Sequence, residues 1–88
     1  RYFFKEHGNA IVAIARCESR LNNLAINKLD TNGFASIGLT QISMIHGMDR
    51  EYLLVPHNNA KEAYKLFIKA KGTFKPWYNC ARSNGLLG

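Results

Sequence analysis

Glu18 stands where a helix pattern calls for an apolar side chain. In Asn9-Ala-Ile-Val-Ala-Ile-Ala-Arg-Cys-Glu-Ser-Arg20, the residues Ile11, Ile14, Ala15 and Glu18 recur at i, i+3, i+4 and i+7, the spacing of one buried helical stripe. An acid on that inward face meets desolvation, which disfavours its charged form and pushes its pKa towards neutrality. A carboxyl group tuned in that way suits a general acid at physiological pH. The structural alternative is an ion pair with Arg16, Arg20 or a distant lysine.

Cys17, beside the acid, and Cys80 are the two cysteines of the chain, 63 positions apart. No CxxC and no Cys/His cluster falls at metal-ligand spacing, and no cofactor motif is present, so neither a metal nor an organic cofactor is expected. If the two cysteines pair, chain-entropy arguments give about 4 kcal/mol, and the protein belongs outside the cytoplasm or in a virion. Two buried free thiols are the alternative. A nucleophilic Cys17 has no histidine beside it in sequence.

The elements that must position these residues belong to one small domain. Eighty-eight residues, 47% hydrophobic and 11% aromatic, suffice for a single core and argue against disorder. We read residues 1–88 as one unit with its core at 9–80 and a loose tail at 81–88. The chain starts at Arg1 without a Met and carries no signal-peptide pattern, which suggests a processed or excised domain. No apolar run reaches the roughly 18 residues of a membrane span. Twelve basic against six acidic residues give a net charge of +6, which favours a polyanionic partner: anionic cell-wall polymer, nucleic acid or membrane surface. No helix concentrates Arg and Lys with interleaved aromatics, which argues against a nucleic-acid-binding module.

Along the chain, Tyr2, Phe3 and Phe4 form an apolar lead under the first helix, which Asn9 caps and which runs to about Leu21. Asp30-Thr31-Asn32-Gly33 is a hairpin turn joining strands at 26–31 and 34–39. Gly38 to Ser43 reads locally as a turn entering a short helix. Asp49 to Leu54 is a helical turn ended ahead of Pro56. Asn59 with Glu62 resembles a capping box opening a helix whose buried stripe is Ala60, Ala63, Tyr64 and Phe67; Gly72 ends it. Lys61, Lys65 and Lys69 line the opposite side and read as a solvated face. Trp77, the only tryptophan, is core filling before it is a platform for a sugar ring.

Taken together, Cys17-Glu18-Ser19-Arg20-Leu21-Asn22, Asp30-Thr31-Asn32-Gly33 and Ser36-Ile37-Gly38-Leu39-Thr40-Gln41-Ile42 resemble the lysozyme-like superfamily. The likeness is to soluble lytic transglycosylase domains and to small lysozyme-like wall hydrolases of phage. Asn58 to Phe67 and Trp77 to Cys80 resemble the later part of that fold, so the likeness covers about Asn9 to Cys80.

The resemblance implies an α+β, mainly α fold, with helices packed around the Glu18 helix and a small β-hairpin beside the cleft. It places Glu18 at the catalytic acid. Gln41 with the backbone of Ile42 and Ser43 would hold an N-acetyl sugar, with Ser36 and Asn32 along the hairpin and Tyr64 at an aromatic position near the acid; Trp77 stays a candidate substrate contact only through the flat face of its own ring. Lysozymes with two carboxylates carry the second where this chain has Ser36; Asp30, six residues earlier and on the far side of the turn, is a poor substitute, and it or another acid would have to activate water in the hydrolytic alternative. The implied activity is therefore a single-glutamate peptidoglycan lytic transglycosylase with a 1,6-anhydro product. A hydrolytic muramidase at the same site, or a non-catalytic wall-binding or virion domain, are the alternatives. The implied partner is the peptidoglycan strand, met by a monomeric domain, alone or within a larger protein, in an extracytoplasmic or virion-associated setting.

Overall fold

The computed structural model describes residues 3–28 and 34–87. Tyr2, the Asp30-Thr31-Asn32-Gly33 turn and with it the candidate residue Asn32 lie outside them. The architecture is α+β and mainly helical: four α-helices, three short 3₁₀ turns and one small antiparallel sheet among the described residues.

Helix α1 spans Gly8–Ser19 and buries Ile11, Ile14 and Ala15, the stripe its spacing dictates. Asn9 does not cap it. A 3₁₀ turn at Lys5–His7 runs straight into the helix, and the Gly8 N–H bonds to Lys5 O, so the helix starts one residue before Asn9. Its end also comes early, because Arg20 and Leu21 both take left-handed φ, at 56° and 62°. Their N–H groups turn back onto Arg16 O and Ala15 O, closing the last turn.

Strands β1 (Ile26–Asn27), β2 (Ser36–Ile37) and β3 (Ile42–Ser43) pair antiparallel in that order. Ile26 lies opposite Ile37, Ile37 opposite Ile42, and Ser36 opposite Ser43. The strands are shorter than the sequence suggests. Residues 38–41 turn the chain into β3, and only then does a 3₁₀ turn at Met44–His46 follow, capped by Ser43 Oγ on the Ile45 N–H at 3.2 Å. The expected direct turn-to-helix passage fails because Ile42, set across from Ile37, buries both side chains as a strand pair.

Helix α2 (Arg50–Leu54) stops at Val55, whose extended backbone is what a following proline imposes. Pro56 opens α3 (Pro56–Lys69) at its first turn, where a missing N–H costs nothing. Asn59 is therefore an interior residue with no exposed surface, and the capping-box reading is replaced. Phe4, Phe67, Phe74 and Trp77 meet in the core, with Phe4 set edge-on to Phe67 at 5.3 Å. After a 3₁₀ turn at Lys75–Trp77, α4 (Tyr78–Ser83) buries Cys80 and Ala81. The tail reading for 81–88 gives way here too. Leu86 donates its N–H to Ala81 O at 2.8 Å, and Leu86 and Leu87 pack against the core because they are apolar.

Candidate functional site

Residues 38–41 form a shelf whose backbone is held from several directions at once. The Asn59 amide donates to Ile37 O at 2.9 Å and to Leu53 O at 3.0 Å, while its carbonyl oxygen accepts from the Thr40 N–H and hydroxyl. The Gln41 amide donates to Gly38 O at 2.9 Å and to Ala25 O at 3.2 Å. From α1, the Ser19 hydroxyl lies 2.8 Å from Leu39 O and 3.0 Å from Ala15 O, with one proton to share between them. Trp77 donates its indole N–H to Thr40 O at 2.8 Å. Four consecutive carbonyls, Ile37 to Thr40, thus each receive a side-chain donor. A turn this enclosed would otherwise strand polar groups, and each bond prevents a loss of about 1–3 kcal/mol.

Gly38 is required at the bend. Its φ is +79°, and a Cβ there would press on the Asn59 amide and come within 2.7 Å of Leu53 O. Gln41 takes φ of 54° without being glycine, a conformation its own amide bonds to Gly38 and Ala25 sustain.

Against the shelf opens a cleft of about 690 Å³. Glu18, half-buried at the end of α1, lines it with Gln41, Ile42 and Ser43 from the shelf side. Ile45 and His46 line it from the 3₁₀ turn after β3. The far side is formed by Leu66, Lys69 and Ala70 at the end of α3, then Pro76, Trp77, Tyr78 and Asn79. Glu18 is the one carboxylate among the described residues that line the cleft. The Cys17–Cys80 disulfide, with Cα atoms 5.7 Å apart, joins α1 to α4. It ties the residue before Glu18 to the residue after Asn79, so the staple holds two walls of the cleft at their shared corner.

Glu18, Gln41, Ile42, Ser43 and Trp77 therefore come together as the sequence suggests. Trp77 is only 4% exposed, so it does its work as packed core with one edge on the cleft. Ser36 is 1% exposed inside the sheet and is not a lining residue. Tyr64 also stands apart. It packs against Phe3, Phe4 and Phe67 with ring centroids at 6.4, 5.3 and 6.2 Å, because the inward face of α3 at that level meets the aromatic N-terminal segment. No group of three His, Cys, Asp or Glu side chains able to hold a metal ion occurs among the described residues.

Sequence reasoning missed His46, Lys69, Tyr78 and Asn79. The only available signal for Tyr78 and Asn79 was their place between Trp77 and Cys80. Lys69 was set on the solvated side by helical period, and the cleft reaches it because α3 ends there. Asn59 was missed as the clamp of the shelf, since its spacing to Glu62 imitates a cap.

A family model described as a lysozyme-like domain matches residues 3–79. No curated protein and no solved structure matches the chain. The family match supports a lysozyme-like function directed at peptidoglycan, by an enzyme of the glycosidase or transglycosylase kind. The disulfide is consistent with an extracytoplasmic location, and no described helix is long and apolar enough to cross a membrane. With the match running from Phe3 to Asn79, through every residue that lines the cleft, the chain belongs to the lysozyme-like domain family.

Proposed function

We propose that this domain is a peptidoglycan lytic transglycosylase that cleaves the β-1,4 bond between N-acetylmuramic acid and N-acetylglucosamine with Glu18 as its single acid and base. The observation that carries the proposal is the cleft's charge inventory. Glu18 is the one carboxylate among its described lining residues, and the place of a second acid is taken by Ser36, enclosed in the sheet. Two-carboxylate hydrolysis needs a second acid at the scissile bond.

Protonated Glu18 gives its proton to the glycosidic oxygen as the bond to the muramyl C1 breaks. The substrate's own N-acetyl oxygen stabilises the positive charge developing at C1. Glu18, now a carboxylate, takes the proton of the muramyl 6-hydroxyl, and that oxygen attacks C1 to close the 1,6-anhydro ring. The same group begins and ends protonated, and no water is consumed.

Shelf and far wall supply positioning. Gln41 spends both amide hydrogens on Ala25 and Gly38, so what it offers a sugar is its acceptor oxygen. Ile42 and Ser43 lie on the edge strand of the sheet and offer backbone groups to an N-acetyl substituent. Tyr78, 53% exposed, offers the flat face that Trp77, buried in the core, does not. An extracytoplasmic or virion-associated monomer fits this reading and its disulfide.

Digestion of purified peptidoglycan by the wild type and by Glu18→Gln, with products read by mass spectrometry, tests the proposal. Anhydro-ended muropeptides, lighter than reducing-ended ones by one water, are expected from the wild type alone. Reducing-ended products would replace transglycosylation by hydrolysis. Wall binding with no product from either protein would make this a binding domain.

A further inference from the structure

The far wall of the cleft carries a charge pattern that the cleavage chemistry does not use. No Asp or Glu follows Glu62, whereas Lys65, Lys69, Lys71, Lys75 and Arg82 do. Two of these five are engaged: Lys65 lies 3.4 Å from Glu62, and the Arg82 guanidinium sits 5.7 Å over the Tyr78 ring. Lys69, Lys71 and Lys75 are exposed and form no ion pair among the described residues. Lys69 lines the cleft directly, and Lys71 and Lys75 adjoin the lining residues Ala70 and Pro76. In the proposed reaction Glu18 carries the proton it donates, and Lys69 is then the formal charge among the described lining residues.

We infer that Lys69, supported by Lys71 and Lys75, pairs with a carboxylate borne by the muramyl residue and so sets the domain's preference for carboxylate-bearing strands over neutral N-acetylglucosamine polymers; this rests on the transglycosylase reading of the same cleft. A polymer of N-acetylglucosamine alone presents hydroxyls and amides, which an ammonium group distinguishes poorly from water. A muramyl residue adds a lactyl carboxylate, free or extended by a peptide with acids of its own. An ammonium on a long flexible stem follows such a group without fixed geometry, which suits a substituent projecting from the sugar ring. The lysine row is thus divided. Lys65 is braced against its own helix, while Lys69 faces the ligand.

The test measures binding on a Glu18→Gln background, which leaves the glycan uncut. The two ligands are peptide-stripped peptidoglycan strands, whose lactyl carboxylates are free, and chitooligosaccharides of matched length. The strands are expected to bind more tightly, with the advantage falling about three- to tenfold in Lys69→Ala, surviving in Lys69→Arg, and shrinking as salt is raised. An unchanged ratio of the two affinities in Lys69→Ala overturns the inference. A third ligand, wall that retains teichoic acid, separates carboxylate from phosphate: a Lys69→Ala loss seen on it alone, and not on the stripped strands, also overturns the inference, because the rim would then read phosphate. Failure of the catalytic reading looks different: wild type and Glu18→Gln would release the same products, or none, while the affinity ratio still responds to Lys69. Absence of binding to both glycans overturns both.

Discussion

The two sides of the cleft are built on opposite plans. On the shelf, four successive carbonyls are met by donors from Asn59, Gln41, Ser19 and Trp77, and Asn59 and Ser36 are almost wholly enclosed. On the far side, Lys69 at the end of α3 and Tyr78 and Asn79 at the start of α4 are exposed, and α4 is held by one covalent tie and the packing of Ala81. Position on the shelf is fixed by many bonds that must all be made, because buried polar groups without partners are costly. Position on the rim is fixed by few bonds, so its side chains are free to vary with the ligand. On the proposed reading, this separates what must stay still, the surroundings of Glu18, from what can set preference.

The strongest way to break this contrast is Asn59→Ala. It removes four hydrogen bonds and leaves the Ile37 and Leu53 carbonyls and the Thr40 N–H without their partner. A loss of roughly 3–5 kcal/mol is expected in urea denaturation. Lys69→Ala on the rim should stay within about 0.5 kcal/mol of the wild type. Equal effects from the two would mean that the shelf is no more constrained than the rim.

Opening the disulfide comes next. The Cys17→Ser, Cys80→Ser double variant should lose about 2–4 kcal/mol, seen as a lower thermal midpoint. Activity should fall further than the folded fraction accounts for, since the bond lies between Glu18 and Asn79 in the cleft wall. Trp77→Phe keeps an aromatic ring in the core, deletes the donor to Thr40 O and gives up part of the buried indole's volume. About 1–2 kcal/mol is expected, with muropeptide release per folded molecule reduced as the shelf end loosens. Full activity would show that the other three donors suffice.

What the sequence disclosed follows the same division. The α1 stripe and Glu18 at its end were legible because a twelve-residue helix repeats its period three times. The short sheet was legible in outline, through Ile37 and the turn residues. The shelf was not, because its bonds join residues far apart: 20 positions for Ser19 and Leu39, 22 for Asn59 and Ile37, 37 for Trp77 and Thr40. No local pattern encodes such pairs. Tyr64 shows the same limit from the other side: helical period gave its face correctly and could not say that Phe3 and Phe4, and not the cleft, would meet it. Helix α4 has only six residues, too few to display a period.

The smallest effect sharpens the contrast at the back of the shelf. Leu53, whose carbonyl Asn59 holds, sits on α2, and α2 is braced to α3 by the Tyr52 hydroxyl donating to Glu62 Oε2 at 2.8 Å. That hydrogen bond, then burial, then the negative charge of Glu62 raise the Tyr52 pKa above its ordinary value. A raised value means that the folded chain holds the phenolic proton more tightly than the unfolded chain does. The stability the proton contributes is therefore complete below the unfolded tyrosine's pKa, about 10, and is lost as pH rises through the folded value. Tyr52→Phe should be slightly less stable than the wild type at neutral pH, and the gap should close in strongly alkaline solution, once the wild-type phenol ionises beside Glu62. Urea denaturation of both proteins from pH 7 to above 11 measures that gap directly. A gap that does not change with pH would mean that the brace is packing alone, and that the shelf is supported from behind by shape, with no contribution from the proton.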